Sequence, residues 1–167
     1  MPPKRKKSPP RPIALSDGPL PPRYAGRFDG CLLVFSDASL KRHGGLAAVL
    51  FDGEGVAPQV ATCSVPAAGS NELELQAALF GLAQARAHFP GRPLALFADN
   101  QDAVLRLERA KASGLAQEPA LGRMWAALGC REGLAETLAD AALCWVKGHG
   151  KCRGNALADA HAATAAG

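Results

Sequence analysis

The 167-residue chain has no apolar run that approaches the ~20 residues needed to cross a bilayer as a helix. Pro and charge interrupt its N-terminus, so no signal-peptide apolar region is expected. It has no Cys-x-x-Cys pair. Its five cysteines (Cys31, Cys63, Cys130, Cys144 and Cys152) are odd in number and scattered, which argues against a zinc site. Cys31, Cys63 and Cys144 lie in apolar, strand-like segments, so free buried thiols in a reducing compartment are expected. No internal repeat is visible. The body also lacks the excess of positive charge expected of a protein that grips nucleic acid by charge alone.

At 48% hydrophobic and 20% charged residues, the composition is that of one globular domain with a proper core. The net charge of +4 is unevenly placed. Residues 1–30 carry seven Lys and Arg against Asp17 and Asp29, a net of +5, and the remainder is left at −1. Residues 1–29, rich in Pro and basic residues and without periodicity, read as a flexible tail. The run Lys4-Arg5-Lys6-Lys7 within it admits three readings: a nuclear signal, an electrostatic arm for nucleic acid, or an inert solvated stretch.

From residue 30 onward, apolar runs and turn residues alternate. Strands are expected over 30–36, 46–51 and 56–65, joined as an antiparallel meander through Gly44-Gly45 and Asp52-Gly53-Glu54-Gly55. A long helix follows over 71–88, stopped by Pro90-Gly91. A strand over 93–98, helices over 100–110 and 119–128, a short extra helix within 129–140, a strand over 141–146 and a helix over 153–166 complete the chain. This order predicts an α/β domain over 30–167: a mixed five-stranded sheet of three meander strands plus two parallel strands, flanked by helices.

Four acidic residues stand in distinctive surroundings. Asp37 follows Leu32-Leu33-Val34-Phe35, and Asp99 follows Leu94-Ala95-Leu96-Phe97-Ala98. Glu74 lies early in the long helix, and Asp159 lies in the Ala-rich last helix. Carboxylates at the ends of buried strands are costly unless compensated, and hard divalent cations compensate them. Each also has an ordinary explanation. Glu74 would be a capping-box residue if Asn71 were the helix N-cap. Asp99 would cap the helix at Asn100, and Asp159 would be a solvated helix charge. Glu72 competes with Glu74 but takes an exposed first-turn position. Trp125 and Trp145 read as core anchors and Cys152 as a bystander thiol.

Four segments in order resemble type 1 ribonuclease H: Val34-Phe35-Ser36-Asp37-Ala38-Ser39, Ser70-Asn71-Glu72-Leu73-Glu74-Leu75, Leu96-Phe97-Ala98-Asp99-Asn100-Gln101, and Trp145-Val146-Lys147-Gly148-His149 with Asn155 and Asp159. Their co-occurrence outweighs the ordinary explanations. By this resemblance, Asp37, Glu74, Asp99 and Asp159 are the metal-binding carboxylates and His149 is a mobile catalytic histidine. Asn71 and Gln101 read the RNA strand in the minor groove. Ala38 and Ser39 take substrate-contacting positions, and Asn155 opens the final helix.

The implied cofactor is a pair of Mg²⁺ ions, with Mn²⁺ a possible substitute. Asp37 would bridge them, with Asp159 completing one site and Glu74 with Asp99 the other. The implied activity is cleavage of the RNA strand of RNA–DNA hybrids, leaving 3′-hydroxyl and 5′-phosphate ends. The alternatives are a non-catalytic hybrid-binding protein or a related nuclease with another nucleic-acid substrate. A cytoplasmic monomer with no obligate protein partner and no membrane association is expected, with a nuclear location as the alternative.

The chain departs from the family in several places, among them a shorter loop from Asp37 to Gly44-Gly45. Ala38 stands where Gly is usual. The segment Arg106 to Ala120 is short, with few basic groups and no aromatic, where relatives often carry a basic, Trp-containing protrusion. The segment Cys130 to Ala142 is longer than usual.

Overall fold

The computed structural model describes residues 14–53 and 55–167. Three antiparallel strands, β1 (Leu32–Leu40), β2 (Gly44–Phe51) and β3 (Gln59–Val65), lead into α1 (Ser70–His88). Then come β4 (Leu94–Ala98), α2 (Gln101–Ser113), α3 (Pro119–Ala127), α4 (Leu134–Ala139), β5 (Ala141–Trp145) and α5 (Arg153–Ala166). The strand order is β3-β2-β1-β4-β5. β1 pairs antiparallel with β2 and parallel with β4, and β4 pairs parallel with β5. The expected mixed five-stranded sheet is therefore present.

The sheet is covered on both faces. On one, α1 packs against β1 and β2 and carries α2 and α3 behind it. Leu73, Leu75, Leu79 and Leu82 of α1 are fully buried with Leu32, Val34, Leu46 and Leu96 of the sheet. Each fully buried Leu side chain contributes roughly 1.5–3 kcal/mol. α1 is buried around most of its circumference, as its apolar content on all sides requires. On the other face lies α5, whose Ala158, Ala162 and Ala166 are completely buried. Its approach needs glycine beneath it. A Cβ on Gly154 would meet the Phe35 ring at 2.5 Å, and one on Gly45 would meet the Ala162 carbonyl oxygen at 2.2 Å.

Several local expectations are corrected. β1 runs on to Leu40, paired only with β2 beyond Phe35, so Asp37 lies inside a strand rather than at its end. β3 begins at Gln59 rather than 56, because Pro58 cannot donate to the ladder and Val56 is exposed. The N-cap of α1 is Gly69, which puts Glu72 at the third helical position and removes the capping-box explanation of Glu74. α4 is the short helix expected within 129–140. Cys31, Cys63 and Cys144, expected to be buried, are half-buried, whereas Cys152 is buried.

The largest correction concerns the N-terminal segment. Residues 14–29 fall within the flexible tail expected over 1–29, yet residues 16–28 are fastened across the α5 face. Ser16 N–H donates to the Lys151 carbonyl at 2.8 Å, and the Pro19 carbonyl accepts from Gly154 N–H at 2.9 Å. Phe28 meets the Phe97 ring edge-on at 5.1 Å, and Tyr24 meets it edge-on at 6.4 Å. Residues 16–28 form a strap held by backbone groups and two aromatic rings, features that leave no periodic trace in the sequence. The run Lys4 to Lys7 lies outside the described residues. Among the described residues, no helix is long and apolar enough to cross a membrane.

Candidate active site

The register of the sheet brings the acids together. The last β1–β4 pair is Phe35↔Phe97, so Asp37 and Asp99 each stand two residues beyond the same rung. β4 ends there while β1 continues, which opens a notch at the carboxyl ends of the two parallel strands, where open α/β sheets place their ligands. Glu74 enters the notch from α1. Asp37, Glu74 and Asp99 each offer a carboxylate oxygen, all within 4.8 Å of one another. Asp159 stands outside this trio but near enough for its charge to raise the carboxyls of Glu74 and Asp99. All four acids named from sequence thus converge, three tightly and one at the margin. Glu72 is exposed, as expected.

This crowding is electrostatically unfavourable in the bare protein. Asp37 is only 3% exposed. Burial, followed by the charges of Glu74 and Asp99, pushes its carboxyl up to about 10. Burial is also the largest cause raising Glu74, to about 7. Asp99 is raised by burial, which a hydrogen bond from Asn155 partly offsets. Glu74 Oε2 is buried without any hydrogen-bond partner. An orphaned carboxylate oxygen beside two further carboxylates lacks positive charge, which a hard cation would supply. The donor set is all oxygen and suits Mg²⁺ or Mn²⁺ rather than a soft metal.

His149 is exposed in the loop between β5 and α5 and holds a left-handed backbone, with φ of 53°. The loop passes close to the acids: a Cβ on Gly148 would lie 2.9 Å from Asp99 Oδ2. Trp145, expected in the core, is instead 43% exposed, and its indole N–H donates to the Asp99 carbonyl at 3.1 Å. Trp125 is the core anchor, with its N–H on the Glu132 carbonyl. Asn155 is buried, with one side-chain oxygen unpartnered. Ala38 N–H turns back to Asp37 Oδ1 at 3.0 Å, and Ser39 is half-buried beside it on β1.

Asn71 and Gln101 are exposed at the starts of α1 and α2. Between them lies a residue that the sequence reading missed. Asn100 caps α2 and also donates to Asn71. Its position directly before a helical run was the available signal. In the segment that stands for a basic protrusion, Arg106 and Arg109 both pair with Glu118. Lys111 bonds the Ala141 carbonyl. These cations are spent on the fold.

No family model and no curated protein sequence matches the chain. Solved structures do. RNase H1 from the halophilic archaeon Halobacterium salinarum NRC-1 is similar with a TM-score of 0.53 at 19% identity, over 79% of this chain and 97% of that one. The native prototype foamy virus protease-reverse transcriptase is similar with a TM-score of 0.61 at 18% identity, over 83% of this chain. This chain spans only 21% of that protein's length. The foamy viral protease-reverse transcriptase in complex with dsDNA gives a TM-score of 0.62 at 13% identity, over 83% of this chain and 96% of that one. At these identities the likeness establishes the fold, which is ribonuclease H-like.

Proposed function

We propose that the protein is a divalent-metal-dependent endonuclease that cuts the RNA strand of RNA–DNA hybrids, leaving 3′-hydroxyl and 5′-phosphate ends. The observation that carries this reading is the convergence of Asp37, Glu74 and Asp99 within 4.8 Å, with Glu74 Oε2 buried and unpartnered. Asp37 would share two cations, one completed by Glu74 and Asp99 and the other by Asp159. When bound, such ions activate water and neutralise charge at the leaving oxygen. Mg²⁺ is the proposed ion and Mn²⁺ a substitute.

The chain's own groups do the rest. Asp37 and Glu74 would hold the ions as deprotonated carboxylates. His149, on a loop flanked by Gly148 and Gly150, moves a proton at the reacting phosphate or aids product departure. Asn155 orients Asp99. The amides of Asn71 and Gln101 address 2′-hydroxyls in the hybrid minor groove, the group that marks RNA, and Ala38 and Ser39 line the same strand. The five free cysteines suit a reducing compartment. The reading includes a monomer in the cytoplasm, with the nucleus as the alternative if Lys4–Lys7 acts as an import signal.

Labelled RNA–DNA, RNA–RNA, DNA–DNA and single strands, each incubated with Mg²⁺, Mn²⁺ or EDTA, test the reading. Cleavage of the RNA strand of the hybrid alone, abolished by EDTA, is expected. Comparable cleavage of another duplex would shift the substrate, and hybrid binding without cleavage under either metal would leave a non-catalytic binder.

A further inference from the structure

Behind the loop that carries His149 and touches Asp99 lies a cleft of about 340 Å³. Its floor is apolar and buried, formed by Val146 and Cys152. Its walls carry Arg23 from the strap and Lys147, His149 and Lys151 from the loop before α5. Among the described residues, no acidic side chain lines it. Among the described residues, no carboxylate forms an ion pair with Arg23, Lys147 or Lys151. The basic side chains of α2 are engaged inside the fold, whereas these three are left without counter-charge around one concavity.

The cleft is also held in shape. Arg23 lies over the Tyr24 ring, 4.9 Å from its centroid, and donates to the Tyr24 hydroxyl at 3.1 Å. Tyr24 in turn packs on Phe97. The loop is fastened at its far end: Arg153 Nε donates to the Ser16 carbonyl at 2.6 Å, and the Cys152 thiol to the Pro19 carbonyl at 3.3 Å. One arginine and two lysines lining a single hollow attract a multivalent oxyanion, and a guanidinium suits phosphate in particular.

We propose that this cleft, built jointly by the strap and the His149 loop, is a phosphate subsite that holds a backbone phosphate of the bound nucleic acid. The ligand's identity rests on the nuclease reading, because the loop that forms the cleft also touches Asp99 through Gly148. A strand whose phosphate sits in the cleft is thereby held beside the carboxylates. The strap makes this basic surface where the α2 segment does not.

The test uses the full chain in EDTA. First, isotope-labelled protein is titrated with inorganic phosphate and followed by NMR. Saturable shifts are expected at the amides of Arg23 and of Lys147 to Cys152. They should be lost in the Arg23→Ala/Lys151→Ala double variant and kept in Arg131→Ala, which removes a charge from the loop between α3 and α4. Second, hybrid binding is measured across a salt series. Each lost phosphate contact lowers the slope of log affinity against log salt by about 0.9, so the double variant should lose about 2 and Arg131→Ala nothing. Both responses are required. Phosphate shifts with an unchanged slope overturn the proposal, marking an anion spot that substrate does not reach. A changed slope without shifts overturns the cleft as its location. If both responses appear but hybrid is not cleaved with metal, the subsite stands and the nuclease reading falls. If hybrid is cleaved and neither response appears, the subsite falls and the nuclease reading stands.

Discussion

Asn100 ties together the two helices that begin beside the carboxylates. Its Nδ2 donates to Asn71 Oδ1 at 3.0 Å, while its Oδ1 accepts from Ala103 N–H at 2.9 Å and caps α2. The two contacts can be separated by substitution. Asn100→Ala loses both and should destabilise the protein by about 1 kcal/mol, a fall in Tm of roughly 3 °C. Asn100→Asp keeps the cap and loses the donor that orients Asn71. Both variants should discriminate less between hybrid and double-stranded RNA, and only the Ala variant should melt early. Melting curves and cleavage ratios on the two duplexes check this. Undiminished discrimination in Asn100→Asp would remove Asn71 from substrate reading.

Asp37 is the most buried of the four acids and lies with Glu74 and Asp99 in one cluster of carboxylate oxygens. Asp37→Asn should abolish turnover while leaving the fold intact. It replaces a carboxyl crowded by Glu74 and Asp99 with a neutral amide of similar shape, so the metal-free melting temperature should be unchanged or higher. Turnover and melting are measured on the same preparation. Near-normal turnover would remove Asp37 from the proposed metal centre.

The raised carboxyls give a pH dependence with a defined sign. In the unfolded chain, Asp37 and Glu74 release protons at their ordinary values of 3.8 and 4.5; in the metal-free fold they retain them to about 10 and about 7. Between these limits the folded state binds more protons than the unfolded one, so stability falls as pH rises. The contribution is full below about pH 4. It declines through neutrality, and Glu74 loses its share by about pH 7 while Asp37 continues toward about 10. Melting in EDTA should therefore weaken from mildly acid to mildly alkaline pH. Added Mg²⁺ or Mn²⁺ should restore stability more strongly at the alkaline end, because binding must displace those protons. A metal-induced rise in Tm that does not grow with pH would contradict this coupling.

Glu72 and Glu74 lie two residues apart on one helix and face different surroundings. Glu72 is exposed in the first turn of α1, whereas Glu74 has a buried, unpartnered oxygen among the other acids. Glu74→Gln should reduce turnover by several orders of magnitude. Glu72→Gln should leave turnover near normal and cost only a few tenths of a kcal/mol in helix-end electrostatics. Steady-state rates of the two variants decide it, and the reverse order would mean that the metal centre draws on the other acid.

The elements that alternate between apolar runs and turn residues were legible. The order of strands and helices, the ends of α5 and the choice of Glu74 over Glu72 all follow from local periodicity. The convergence of Asp37 with Asp99 was legible only through resemblance, since it depends on the Phe35↔Phe97 register, a pairing across more than sixty residues. Trp145 was misjudged because a tryptophan ending an apolar strand carries no mark of whether its ring lies in or out. The strap was missed for a different reason. Ser16 and Pro19 bind largely through backbone N–H and carbonyl groups that carry no sequence signature, and Tyr24 and Phe28 find their partner Phe97 on a distant strand.

That division of the first thirty residues gives two truncations with different expected outcomes. Removing residues 1–13 takes away Lys4, Arg5, Lys6, Lys7 and Arg11 and leaves the strap's contacts among the described residues in place. If these charges form an arm for the nucleic acid, KM should rise and its salt dependence flatten, with kcat and Tm unchanged. Removing residues 1–28 also uncovers Phe97 and strips Ser16 and Pro19 from the loop that carries His149. Tyr24 and Phe28 are half-buried, so each ring lost costs roughly 1–1.5 kcal/mol, and Tm should fall by several degrees. kcat should fall as well, because the loop end loses the Ser16 N–H bond to the Lys151 carbonyl and the bonds that Cys152 and Arg153 donate to the strap. Melting curves and steady-state cleavage across a salt series separate the two effects. Equal behaviour of both truncations would show that the strap neither stabilises the fold nor positions the loop. Superimposable curves for the shorter deletion and the full chain would show the basic run to be an inert solvated stretch.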